Sequence, residues 1–103
     1  MAKKANQKTG SRTNIVRFDF QAPDAQIVSL AGDFNGWDVN ALLMKKDKKG
    51  NWKANVNLEP GRYEYRFYAD GTWQDDPNAQ ERVDNSFGGQ NSVRIVGGRE
   101  MRP

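Results

Sequence analysis

Through the middle of this chain apolar side chains recur at every second position, and that period excludes most folds. Val16, Phe18 and Phe20 alternate with Arg17 and Asp19; Trp52, Ala54, Val56 and Leu58 alternate with Lys53, Asn55 and Asn57; Tyr63, Tyr65, Phe67 and Ala69 alternate with Glu64, Arg66 and Tyr68. Successive side chains on a strand point to opposite faces, so each run reads as a strand with one apolar and one wet face. Val28 and Leu30 within residues 26–31 add another strand of this kind, with one wet face, and a final strand runs near Ser92 to Val96. Between them, Asp47-Lys48-Lys49-Gly50 and Glu59-Pro60-Gly61 predict hairpin connections. Asp76-Pro77 offers one helical turn at most, and Val83-Asp84-Asn85-Ser86 soon breaks any pattern. Six or seven short strands at this spacing predict an all-β fold, an immunoglobulin-like sandwich of about seven antiparallel strands.

Length sets the scale of the core. A chain of 103 residues forms one small domain that buries roughly 60–65% of its unfolded surface. The formal net charge of +3 is unevenly placed. Residues 1–12 hold four bases and no acid, and residues 97–103 hold Arg99 and Arg102 against Glu100, which leaves ten bases and twelve acids in 13–96. The basic character therefore belongs to the ends, which argues against a cationic nucleic-acid-binding face on the folded part. Residues 1–12 are expected to be a disordered basic arm, 13–96 the sandwich, and 97–103 a flexible tail. No apolar run approaches the roughly 18 residues of a membrane span, and no secretion signal follows the basic start, so the expectation is a cytoplasmic protein with no membrane partner. Cysteine and histidine are absent, which removes disulfides, thiolate metal sites and the commonest acid–base catalysts.

Two glycine- and aspartate-rich segments each carry a tryptophan: Gly32-Asp33-Phe34-Asn35-Gly36-Trp37 and Asp70-Gly71-Thr72-Trp73-Gln74-Asp75-Asp76-Pro77. Glycine, asparagine and aspartate suit turns by their backbones and side-chain caps, whereas an indole there is wasted unless something apolar lies against it. Alternation along Tyr63 to Ala69 puts Arg66 on the outer face as an exposed donor. If the two segments converge, two indoles and a guanidinium share a patch suited to a sugar polymer, with pyranose C–H faces on the rings and hydroxyls on the polar donors. Asn91 is a further amide for such a site.

The ordered set Gly-Asp-Phe-Asn-Gly-Trp (32–37), Trp52, Pro60-Gly61-Arg62-Tyr63-Glu64-Tyr65-Arg66-Phe67, Asp70-Gly71-Thr72-Trp73, Asp76-Pro77 and Phe87-Gly88-Gly89-Gln90-Asn91-Ser92-Val93 resembles a family 48 carbohydrate-binding module. That group includes the glycogen-binding domain of the AMP-activated protein kinase beta subunit and the early-set domains of isoamylases and glycogen branching enzymes. The resemblance covers residues 13–96. It implies that Trp37 and Trp73 stack on α-1,4-linked glucose, with Arg66 and Asn91 bonding hydroxyls, no cofactor and no catalysis. Arg66 stands where a lysine is familiar, and a forked donor meets hydroxyls with different geometry. Phe87 stands where a leucine enters the ring of glucoses, and Gly89 brings no hydroxyl where a threonine is usual.

Each residue also has a plainer reading. Trp37 alone would cap the end of the sandwich, Asn91 would tie down the last strand, and Arg66 would be a solvated residue paired across the sheet. Trp52 and Phe34 are core residues, and the lysines 45, 46, 48 and 49 form a wet edge. Asp33-Phe34-Asn35-Gly36 fails as a calcium loop because the sixth and twelfth positions are Asp38 and Met44. Asp75 and Asp76 are adjacent in an extended segment, pointing to opposite sides, and so do not make a glycosidase pair. The expected activity is non-catalytic binding of α-glucan by a monomer. The rival from another class is a protein-interaction scaffold docking onto a glycogen- or starch-metabolising enzyme.

Overall fold

The computed structural model describes residues 13–97. In chain order the strands are β1 (Asn14–Gln21), β2 (Val28–Gly32), β3 (Lys45–Lys46), β4 (Asn51–Leu58), β5 (Gly61–Ala69), β6 (Thr72–Gln74), β7 (Glu81–Asp84) and β8 (Gln90–Val96), with a single 3-10 turn at Asp33–Asn35. Two antiparallel sheets result, one ordered β1-β4-β3 and the other β2-β5-β8-β7, with β6 pairing the end of β5 that β8 leaves free. The expected arm at 1–12 lies outside the described residues, as does the expected tail beyond Gly97.

The alternation read from the sequence places the core. Val16, Phe18, Trp52 and Leu58 of the smaller sheet face Val28, Leu30, Tyr65, Phe67, Ala69 and Val96 of the larger. Phe18 meets Tyr65 edge-on at 4.9 Å, and Phe20 lies 4.5 Å from Phe67. Trp52 is core as expected, its indole N–H donating to the Ala22 carbonyl at 2.9 Å. Phe34 is part-buried against the same cluster.

Three expectations need correction. The Glu59-Pro60 link is not a hairpin: β4 pairs β1 and β3, while β5 pairs β2, β8 and β6, so those two residues arch from one sheet to the other. A short link between two alternating strands carries the same local signal in either case, and only the partner strands tell them apart. Val83 and Asp84, read as the start of a segment that breaks any pattern, instead belong to β7, whose burial shows no alternation because it is an exposed edge. Finally, β2 has no wet face; all five of its residues are buried. The chain returns along its free edge, with Leu30 N–H donating to the Leu42 carbonyl and Met44 N–H to the Val28 carbonyl.

The two tight turns are chemically explicit. Asp70 and Gly71 both have positive φ, 49° and 84°, the geometry of a two-residue hairpin loop closed by the Ala69–Thr72 pair. In the β3–β4 turn, Asp47 accepts the backbone N–H groups of Lys49 and Asn51 at 2.8 and 3.0 Å and pairs with Lys53 at 3.2 Å. The Asn51 and Lys49 N–H groups, helped by Lys53, lower its carboxyl from 3.8 to about 2. A depressed carboxyl stabilises the fold above its unfolded value and loses that contribution as pH falls through the folded one. Asp47→Ala is therefore expected to be less stable than the parent at neutral pH, with the gap closing as pH falls from about 4 to about 2 in urea titrations.

Candidate functional site

The outer face of the five-stranded sheet carries the site. On β5 the residues that alternate outward are Arg62, Glu64, Arg66 and Tyr68, and the direct pair Tyr68–Trp73 puts Trp73 of β6 on the same face. Trp73 thus stands on a strand, two residues beyond Gly71 of the hairpin turn. On β8, the Tyr65–Ser92 pair turns inward, leaving Asn91 outward. Two connections fold over this face, residues 33–37 after β2 and residues 85–89 before β8. Between them lies a cleft of about 520 Å³ lined by all five residues singled out from sequence, Trp37, Arg66, Trp73, Phe87 and Asn91, together with Asp33, Glu64, Asn85 and Ser86.

The Gly-Asp-Phe-Asn-Gly-Trp segment divides its work residue by residue. Gly32 ends β2 where a Cβ would stand 2.6 Å from the Glu64 carbonyl oxygen. Phe34 turns into the core, and Asn35 accepts the Gly32 N–H and donates to the Leu30 carbonyl, closing the 3-10 turn. Gly36 and Trp37 then both take positive φ, 67° and 61°. Glycine does so freely, but a tryptophan does so at a cost that the surroundings must offset. Trp37 N–H donates to the Gly32 carbonyl, and its indole N–H donates to Asp33 Oδ1 at 3.1 Å.

The two indoles stand side by side with ring centroids 6.3 Å apart and planes inclined at 58°. Trp73 is also backed by Tyr68, centroids 4.8 Å apart. Trp73 is 39% exposed, and Phe87 at the tip of its loop is 92% exposed. That loop is stapled by Asn85, whose Oδ1 accepts the N–H groups of Phe87 and Gly89.

Arg66 is not the exposed donor the alternation implies. Its side chain is 19% exposed, its guanidinium lies 5.8 Å from the Trp73 ring centre, and Nη2 donates to Asp75 at 2.9 Å, while Nε is buried without a partner among the described residues. Its partner is thus Asp75, and Glu64 is occupied elsewhere. Asn91 Nδ2 donates to Glu64 Oε1 at 2.9 Å, and Asn91 Oδ1 accepts from Asn85 at 3.0 Å. Asn91 therefore ties two side chains together at the wall of the cleft. The Asn91 amide, then Arg62, lower the Glu64 carboxyl below its ordinary value. It stays ionised near neutrality and keeps the amide oriented.

The two adjacent aspartates diverge, as their placement in an extended segment requires. Asp75 reaches out to Arg66; Asp76 is buried, accepting the Tyr65 hydroxyl at 2.6 Å and the Asn78 N–H. Burial and Asp76 raise the Tyr65 hydroxyl well above its usual range.

Sequence reading missed the acids that hold the site: Asp33 for Trp37, Glu64 for Asn91, Asp75 for Arg66. All three were visible as residues. Their partners lie 4, 27 and 9 positions away, and two of those three bonds form only once strands pair. Asn85 had a local signal, an asparagine two residues before the exposed Phe87 in a glycine-rich loop.

Comparison with known proteins bears on the family. The model of the family described as "Glycogen recognition site of AMP-activated protein kinase" matches residues 5–100. Protein FLOURY ENDOSPERM 6, chloroplastic, of Oryza sativa subsp. japonica is 34% identical over 71 residues, 69% of this chain and 13% of that protein. Protein PTST homolog 2, chloroplastic, of Arabidopsis thaliana is 36% identical over 72 residues, 70% of this chain and 13% of that protein. The 1,4-alpha-glucan-branching enzyme 1, chloroplastic/amyloplastic, of Pisum sativum is 38% identical over 63 residues, 52% of this chain and 8% of the enzyme. The chain thus corresponds to a small part of each of these relatives.

Proposed function

This chain belongs to the family of the glycogen recognition site of AMP-activated protein kinase, and from that membership we propose that its cleft binds α-1,4-linked glucan without transforming it. The observation that carries the reading is the paired indoles of Trp37 and Trp73, 6.3 Å apart on one outer face. Flat apolar rings in that arrangement suit the C–H faces of successive glucose units in a curved chain, and Trp73 keeps enough exposure to receive one. Arg66 and Asn91 take hydroxyls from the floor, and Phe87 closes the opposite wall. Asp75 and Asp76 are engaged with Arg66 and Tyr65, so neither is placed as half of a hydrolytic pair.

Stacking contributes about 0.5–1.5 kcal/mol per ring beyond area burial, and an open cleft leaves many hydroxyls in water. Affinity should be micromolar or weaker, and a chain that reaches both rings should bind better than glucose. The test is a titration of maltoheptaose and of a cyclic maltooligosaccharide into isotopically labelled protein. The indole signals of Trp37 and Trp73 and the Asn91 amide should move together, with little dependence on salt. Movement of none of them with any α-glucan would end the reading.

One observation favours a second use of the same surface. The matched region of the Pisum sativum branching enzyme is a small part of a larger catalytic protein, and exposed aromatics such as Phe87 also form protein hot spots. On this reading the chain docks onto a glucan-metabolising enzyme. A native gel containing glycogen separates the two, since retardation of the purified protein requires no partner.

A further inference from the structure

We infer that Asp33 is a positioning residue that fixes the orientation of the Trp37 indole relative to β5, an inference that deepens the glucan-binding reading and rests on it for its functional part. The β2–β5 ladder ends at the Gly32–Tyr65 pair, because the chain then turns into the 3-10 turn. One step further, the Glu64 N–H faces the space where a backbone carbonyl would have continued the ladder. Asp33 Oδ2 fills that place, accepting the Glu64 N–H at 2.8 Å. Its other oxygen, Oδ1, accepts the Trp37 indole N–H at 3.1 Å.

A single rigid carboxylate thereby ties the ring to the strand that also carries Arg66 and sets the register of Trp73. Trp37 needs such a tie. Its backbone sits at φ 61°, which few non-glycine residues adopt, and its ring is only part-buried. An asparagine could not replace the acid, because the two N–H groups meet different carboxylate oxygens and an asparagine would present its NH2 group to one of them. Asp33 does not itself need to touch the sugar; it determines where the stacking surface points, and loss of angle at one ring costs contact across the whole of its face.

The test uses the whole chain with four proteins: the parent, Asp33→Ala, a variant carrying 3-benzothienylalanine at position 37, and the combination. The benzothienyl group keeps the double ring and lacks the N–H. In the free parent the Trp37 indole N–H should exchange slowly with solvent, and in Asp33→Ala it should exchange fast and shift. Maltoheptaose affinity, measured well below each protein's unfolding transition, should fall about tenfold in Asp33→Ala, the worth of one charge-assisted hydrogen bond. In the benzothienyl background the same substitution should cause no further loss.

An unchanged indole signal, or an equal loss of affinity in both backgrounds, overturns the inference, because a purely structural acid would weaken both alike. Should Asp33→Ala fail to fold, the benzothienyl variant decides: it must lose about the same tenfold by itself, and parental affinity overturns the role. Should the parent bind no α-glucan, the functional reading falls, while the exchange of the indole proton still decides whether Asp33 orients the ring.

Discussion

Trp73→Ala is expected to abolish retention on glycogen while leaving the sandwich folded. Trp73 lies outside the core cluster, on a three-residue strand, and contacts Trp37, Tyr68 and the Arg66 guanidinium. Removing it deletes one stacking platform outright and leaves Trp37 without its neighbour. Area burial and ring stacking together make such a platform worth roughly 2–3 kcal/mol, or about 30- to 150-fold in affinity. From a micromolar or weaker start, that moves the site beyond detection on a glycogen gel. The melting temperature should fall by only a few degrees, since about 1 kcal/mol of surface aromatic contact is lost from a domain of this size. Retention at the parental level would remove Trp73 from the site.

Gly32→Ala should do the reverse, destabilising the fold first and the site as a consequence. The backbone of Gly32 is extended, with φ −172° and ψ −170°, so an alanine meets no torsional obstacle there. The obstacle is space: its Cβ would stand 2.6 Å from the Glu64 carbonyl oxygen, 2.8 Å from Tyr65 Cβ and 2.9 Å from Phe34 Cζ. Two of these neighbours belong to the paired β5 strand and cannot swing aside, so the end of β2 must move away. The expected loss is about 3 kcal/mol, near the upper end for overpacking, which lowers the melting temperature by roughly 12 °C or more. Thermal denaturation followed by circular dichroism measures it. A variant melting within about two degrees of the parent would show that the strand end yields at little cost.

These outcomes separate two kinds of information in the chain. Alternation over two residues placed Phe18, Trp52, Tyr65 and Phe67 in the core, because the side-chain period of a strand is a local property that tertiary structure then uses. Turn chemistry located Asp70-Gly71 and the Asp47 turn for the same reason, since positive φ and side-chain caps act within a few residues. The five candidate site residues were also legible, through ordered motifs, and they line one cleft.

What the sequence could not supply was partnership. The Glu59-Pro60 link reads the same whether β5 folds back on β4 or crosses to the other sheet, and only the pairing of β5 with β2 and β8 decides. Alternation made Arg66 outward but not exposed; Asp75 and Trp73, brought beside it by the β5–β6 hairpin, cover it. Asp33, 31 positions from the Glu64 N–H that it accepts, becomes the anchor of Trp37 only when β2 pairs β5. Residue types and their local rhythm fix which face a side chain takes. Which acid meets which donor depends on contacts between distant segments, whose energy exists only after the chain has closed on itself.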